Sequence, residues 1–182
     1  MGIDIGGAFT IAGVSGSQAM KIAGAAEAFT IDTSGRTYYP NQIGFIAGYN
    51  ADPGWVAMTA DAWNIQNFCN VTTYNKGGGF SAGRFTAPVA GSYLLHWTIY
   101  GNKASAVQGH YTHPMFWVNG AARPDSYRLK CYFHPTGYSF DGEIADIFYL
   151  NAGDYVDVYI YSGGSVHQLY RAYAQFSGYL VG

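Results

Sequence analysis

Charge is what this chain has least of. Lys, Arg, Asp and Glu make up 11% of its 182 residues, against ~25% in an ordinary soluble domain. The 9 basic and 11 acidic side chains leave a formal charge of −2 and form no basic stripe, so nothing supplies the phosphate neutralisation on which nucleic-acid binding rests. Nucleic acid is not an expected partner. No run approaches the ~18 consecutive apolar residues of a membrane helix, so membrane insertion is not expected either. The opening "MGIDIGGAFTIAGVSG" has neither the basic start nor the apolar stretch of a secretory signal, and the expectation is a chain made and folded in cytoplasm.

Cysteine is equally sparse. Cys69 and Cys131 allow one disulfide or two buried thiols, and a reducing compartment favours thiols. "NVT" at 70–72 matches a glycosylation acceptor but has no secretion signal beside it. Helical periodicity is missing too: no window holds an i, i+3, i+4, i+7 apolar stripe over two turns without Gly or Pro interrupting it.

Aromatics and glycine are abundant: 17 Tyr, 11 Phe and 25 Gly. From residue 41 onward, short apolar stretches such as "QIGFIAGY", "WVAMTA" and "FCNVTTYN" are bounded by Gly, Pro and Asn, which predicts an all-β antiparallel domain. After Pro88 and Gly91, Tyr93, Leu95, Trp97 and Ile99 alternate with Ser92, His96 and Thr98, so one face is core. In "YVDVYIY" (155–161), Val156, Val158 and Ile160 point inward, and Tyr155, Asp157, Tyr159 and Tyr161 outward. A row of rings with polar tips suits a partner surface or a covering sheet.

Residues 1–38 differ from the rest, being rich in Gly and Ala, with "AFTI" at 8–11 and again at 28–31. They are expected to form an extended anchor. Its short apolar strands, carried by Phe9, Ile11, Phe29 and Ile31, need another chain to pair with. "DTSGR" (32–36) has the residues of a turn. The domain division expected is thus 1–38 as anchor and 39–182 as head.

The landmarks of the head, in order, resemble the globular-head domain of the complement component 1q family, a jelly roll related to tumour necrosis factor. "YNKGGGFSAGRFTAPVAGSYLLHW" (74–97) is similar to its glycine turn and following strand, and "WVNG" (117–120) to its next hairpin. "LNAGDYVDVYIY" (150–161) and the closing "FSGYLVG" (176–182) complete the resemblance across residues 41–182. It implies an antiparallel jelly-roll sandwich that assembles as a homotrimer. "FTIDTSGRTYYPNQIGFIAG" (29–48) resembles the join found in bacteriophage structural proteins, which implies a virion location and contact with other virion proteins through the N-terminal segment. The glycines show no period of three, so the collagen stalk of the secreted animal members is lacking, and their immune or hormonal roles do not carry over.

No catalytic constellation stands out. His110 and His113 in "GHYTHP" are flanked by Gly109 and Pro114, which predicts a loop and not a helical metal pair. Asp141, Glu143 and Asp146, with Asp154 and Asp157, supply carboxylates of the type that hydrolyse sugars, but too few for a built groove. "GGG" at 77–79 lacks the residues of a phosphate loop. No metal, cofactor or enzymatic activity is expected. The expected function is a trimeric tail-fibre or appendage head recognising a host-surface structure, a glycan among the candidates. The alternative is a capsid or baseplate decoration with a purely structural role. Receptor-contact candidates lie in the long strand connections: His110, Tyr111, His113, His134, Tyr138, His167, Tyr170 and Arg171.

Overall fold

The computed structural model describes residues 18–21, 27–31, 34–39, 41–49, 54–67, 69–103, 110–123, 131–132 and 139–182. The chain divides into two compact units, Met1–Asn41 and Gln42–Gly182.

In the first unit, β1 (Gln18–Lys21) pairs antiparallel with β2 (Glu27–Ile31), and β2 with β3 (Thr37–Tyr38). The expectation that Phe29–Ile31 needs a strand from elsewhere is corrected here, because β2 has a neighbour on each side within its own chain. The turn signal at 32–36 is the reason: Gly35 takes φ 77°, a conformation glycine adopts without steric cost, and the chain doubles back as β3. Phe9 and Ile11 lie outside the described residues.

The second unit continues with β4 (Gly44–Gly48), β5 (Trp55–Ala57), β6 (Ala62–Ile65), β7 (Val71–Lys76), β8 (Phe80–Ser81) and β9 (Arg84–Thr86). Then come β10 (Gly91–Lys103), β11 (Tyr111–Val118), β12 (Ala121–Ala122), β13 (Cys131–Tyr132) and β14 (Ser139–Leu150). It closes with β15 (Tyr155–Gly163), β16 (His167–Tyr170), a 3-10 turn at Arg171–Tyr173 and β17 (Gln175–Leu180). Among the described residues of this unit, all pairings are antiparallel and make two sheets. The first is centred on β10, with β14 along one edge. Its other edge is shared: residues 93–98 bond β17, followed by β4 and β7, while residues 101–103 bond β16, followed by β5. The second sheet is centred on β15, with β11 and its short partners β12 and β13 on one side and β6, β9 and β8 on the other.

The alternation read from the sequence of β10 holds. Tyr93, Leu95, Trp97 and Ile99 are buried, and Val156, Val158 and Ile160 of β15 face them from the second sheet within one core. Phe45 anchors its centre, stacked on Phe80 and Phe85 with ring centroids 4.7 and 4.8 Å away, and edge-on to Phe176 at 4.9 Å, geometries favoured by the ring quadrupole. This is the packing of an antiparallel jelly-roll sandwich.

Two sequence landmarks that lie more than 30 residues apart meet in space. Asn119, in the β11–β12 turn, donates its side-chain amide to Asp154 (2.8 Å) and accepts from the Tyr155 backbone N–H (2.9 Å). Asp154 also accepts from the Asn151 backbone N–H at 2.8 Å, so "WVNG" and "LNAGD" form one lock. Gly91 has a different cause from the turn expected of it. A Cβ there would lie 2.6 Å from Leu180 and 2.8 Å from the Gly182 carbonyl, so glycine lets the C-terminal segment approach.

Candidate binding surfaces

Strand alternation decides which side chains leave the core, and each sheet has an outer face. On the first sheet, Leu94 sits opposite Ile147 on one side and Tyr179 on the other. Ile147, Tyr149 and Tyr179 are 59%, 67% and 48% exposed, and Ile46 and Tyr74 extend this apolar ground onto β4 and β7. Further along β10, His96 Nε2 lies 3.3 Å from Glu143. Beyond it, Trp55, Tyr100, Tyr170 and Tyr173 form a ring cluster with centroids 5.1–6.0 Å apart.

The outer face of the second sheet carries a row of aromatic rings. Trp117 of β11 stacks on Tyr159 of β15 at 4.2 Å; Trp63 of β6 meets Trp117 at 5.9 Å and Tyr161 at 5.4 Å; Tyr111 stacks on Tyr161 at 5.9 Å. Near one end, Arg84 forks onto Asp157 through two 2.8 Å hydrogen bonds, its guanidinium 3.8 Å from the Tyr155 ring centroid. Asp157 belongs to the outward set, as the sequence indicates, yet it is buried by this pairing. The hydrogen bond to Asp157 raises the Arg84 pKa further. Burial raises the Tyr159 phenol, with the Asp157 charge adding to it. In the lock, hydrogen bonds from the Asn119 amide and then from Asn151 hold the Asp154 carboxyl below its usual range.

The eight receptor-contact candidates do not share one place. Tyr111 belongs to the aromatic face of the second sheet, and His113 is buried there beneath Trp63, ring centroids 5.4 Å apart. The two lie on β11, where a loop was expected. Pro114 is tolerated in that strand because, among the described residues, the edge of β11 is bare between the stretches covered by β13 and β12. Proline is confined to such edge positions because it has no N–H to give to a ladder. His110 lies 2.8 Å from Ser165 Oγ and 6.1 Å, ring to ring, from His167, which is wholly buried at the start of β16. Tyr170 and Arg171 lie at the ring cluster of the first sheet, with Arg171 5.8 Å from the Tyr49 ring. His134 and Tyr138 fall outside the described residues.

Sequence reasoning missed Trp55, Tyr100 and Tyr173 on one sheet and Trp63 and Trp117 on the other. The usable signal was an aromatic at a position alternating with core residues, as at Trp117 between Phe116 and Val118. The carboxylates are dispersed. Asp141 and Glu143 are exposed on β14, Asp146 accepts from the Ile147 N–H at 2.8 Å, Asp154 is in the lock and Asp157 is on the other sheet. Among the described residues, no three His, Cys, Asp or Glu side chains are grouped to hold a metal, and no helix is long and apolar enough to cross a membrane.

Comparison with solved structures finds the same sandwich. The globular domain of zebrafish complement 1qA superposes with a TM-score of 0.52 at 17% identity, covering 78% of this chain and 98% of that one. The fold is that of the complement 1q and tumour necrosis factor jelly rolls. Eiger TNF from S. frugiperda gives a TM-score of 0.54 at 15% identity, with 78% and 94% covered. Murine APRIL gives 0.53 at 12% identity, with 77% and 99% covered. No protein-family model matches the chain, and no curated protein sequence matches it.

Proposed function

We propose that this chain is the head of a homotrimeric binding module in a bacteriophage virion, at a tail fibre or similar appendage, which recognises a host-surface structure without catalysis. The observation that carries the reading is the apolar outer face of the first sheet. Ile147 and Tyr149 on β14 with Tyr179 across Leu94, more than half exposed on average, make a contiguous patch of the kind that marks an interaction site. A second and third copy of the same jelly roll are the partners the complement 1q resemblance supplies. The join at 29–48 supports the virion setting, with the first unit as the attachment to other virion proteins.

The test is the mass of the full chain by sedimentation, wild type against Tyr149→Glu, followed by adsorption of labelled protein to host cells. Tyr149 is 67% exposed, and an aromatic side chain offers ~200 Å², so about 130 Å² is available to a neighbour. At ~25 cal/mol per Å² this is worth up to about 3 kcal/mol per protomer, before the costs of association. A trimeric wild type and a folded, dissociated Tyr149→Glu are expected, together with saturable adsorption by the trimer. A monomeric wild type would overturn the assembly. A stable trimer that adsorbs to no cells, yet restores particles lacking it, would make the protein a structural decoration.

A further inference from the structure

Resting on that reading, we infer that the outer face of the second sheet is a saccharide platform, and that its occupant is a neutral polysaccharide chain lying across Tyr111, Tyr161, Trp63, Trp117 and Tyr159. Self-association, as proposed above, uses the first sheet. The second sheet lies on the opposite side of the sandwich and carries a surface of different character: rings in unbroken contact from Tyr111 to Tyr159, without the aliphatic row of the first sheet. Residues 111 and 117 sit at the two ends of this face on β11, about 20 Å apart at ~3.4 Å per residue. That is a length for several sugar rings and not one.

Three features choose a saccharide. The π face of an aromatic ring is negative, so it attracts the weakly positive C–H bonds on the flat side of a pyranose, while the phenol tips of Tyr111, Tyr159 and Tyr161 bond its hydroxyls. The rings already pack against one another, so few rotamers remain to be frozen when a ligand arrives, and that saving favours binding. Charge then selects a neutral chain. Among the described residues, Arg84 and Asp157 neutralise each other, and the Asp61 carboxylate acts on Tyr161 and accepts from the Gly164 N–H. That carboxylate repels an anionic glycan. Three such platforms on a trimer act together, so each can be weak.

Affinity electrophoresis of the full chain in gels containing dextran, mixed-linkage β-glucan, galactomannan or yeast mannan tests the site, with hyaluronate as the anionic comparison. At least one neutral polymer is expected to retard the protein and hyaluronate is not. Trp63→Ala and Trp117→Ala are each expected to weaken retardation about tenfold, ~1.4 kcal/mol, whereas Trp117→Phe keeps a ring and most of the binding. Gln175→Ala, exposed on the other sheet, is expected to bind as wild type. Retardation by none of the neutral polymers, or retardation unchanged in both alanine variants, would overturn the platform. Adsorption to host cells separates this from the broader reading. Cells that still bind Trp63→Ala and Trp117→Ala sink the platform and leave host recognition standing. A wild-type trimer retarded by a glycan but inert toward cells keeps the platform and sinks host recognition.

Discussion

Replacing Arg84 by Met leaves Asp157 with its carboxylate inside the aromatic face and no cation beside it. The side chain of Asp157 is only 5% exposed, and that of Arg84 45%. Removing one partner of a buried ion pair costs ~3–5 kcal/mol. Because Arg84 is nearly half exposed, water reaches the vacated position and screens the remaining charge, which brings the figure to about 2–3 kcal/mol. Loss of the guanidinium over Tyr155, 3.8 Å from the ring centroid, adds ~0.5 kcal/mol, the value for a partly exposed cation–π contact. The sum is about 3 kcal/mol. For a domain of this size each kcal/mol lowers the melting temperature by ~2–4 °C, so Arg84→Met should melt about 6–12 °C lower. Urea denaturation at one fixed protein concentration measures it, with the slope unchanged if the native state is intact. The double variant Arg84→Met/Asp157→Leu should recover about 2 kcal/mol of the loss, because two apolar groups need no mutual partner. An Arg84→Met protein within ~0.5 kcal/mol of wild type, the range of an ordinary surface change, would refute the reasoning. So would a double variant no better than the sum of its single changes.

Cys69 is a free, buried thiol, and burial pushes its pKa from an ordinary 9.0 to about 12, against a small opposing effect of the Phe176 backbone. The thiol should therefore resist Ellman's reagent at pH 8 in the folded protein and react once the chain is unfolded; rapid labelling of Cys69 in native protein, read by peptide mapping, contradicts this. The same shift raises the folded pKa above the unfolded one. Its stabilisation is complete below pH 9 and is lost as pH rises from there toward about 12, so alkaline unfolding should be eased by that route and relieved in Cys69→Ala. Asn119→Ala removes two hydrogen bonds from the lock and should destabilise by about 1–2 kcal/mol. Because Asp154 is held below its usual range, its contribution is present above the ordinary 3.8 and fades as pH falls through the folded value. An NMR titration should show its carboxyl moving up in Asn119→Ala, and an unmoved titration would break the link.

The core was legible because it follows from strand period alone. Tyr93, Leu95, Trp97 and Ile99 alternate along β10, and Val156, Val158 and Ile160 along β15, and a single sequence carries that pattern in full. The motifs flanking these strands were legible too, as turns, although the lock joining Asn119 to Asp154 is a contact between two of them that no local pattern encodes. The misreadings share a cause. His113 was placed in a loop because Gly109 and Pro114 flank its motif, and His167 was placed in the strand connection at 163–173. Strand membership was instead set by distant partners: Tyr161 sits opposite His113, and Lys103 opposite His167. The unpaired strand expected at Phe29 is the same error in miniature, since β1 and β3 are short and weakly patterned.

The scarcity of charge makes sense once both outer faces are in view. A sandwich exposed on its two sides needs polar residues at every second position of its strands. Here β14 keeps that rule at Asp141 and Glu143 and abandons it at Ile147 and Tyr149, within one strand and on one face. β15 abandons it almost entirely, and its single outward charge, Asp157, is cancelled by Arg84. Were the apolar end of β14 merely tolerated, Ile147 and Tyr149 would be interchangeable with Asp141 and Glu143, and exchanging the two pairs would leave mass, stability and binding as they were. If that end is an interface, the exchange abolishes assembly while leaving the core untouched, because all four side chains point away from it. One variant, weighed in solution, therefore separates a solvated sheet that happens to be aromatic from a surface shaped by a partner.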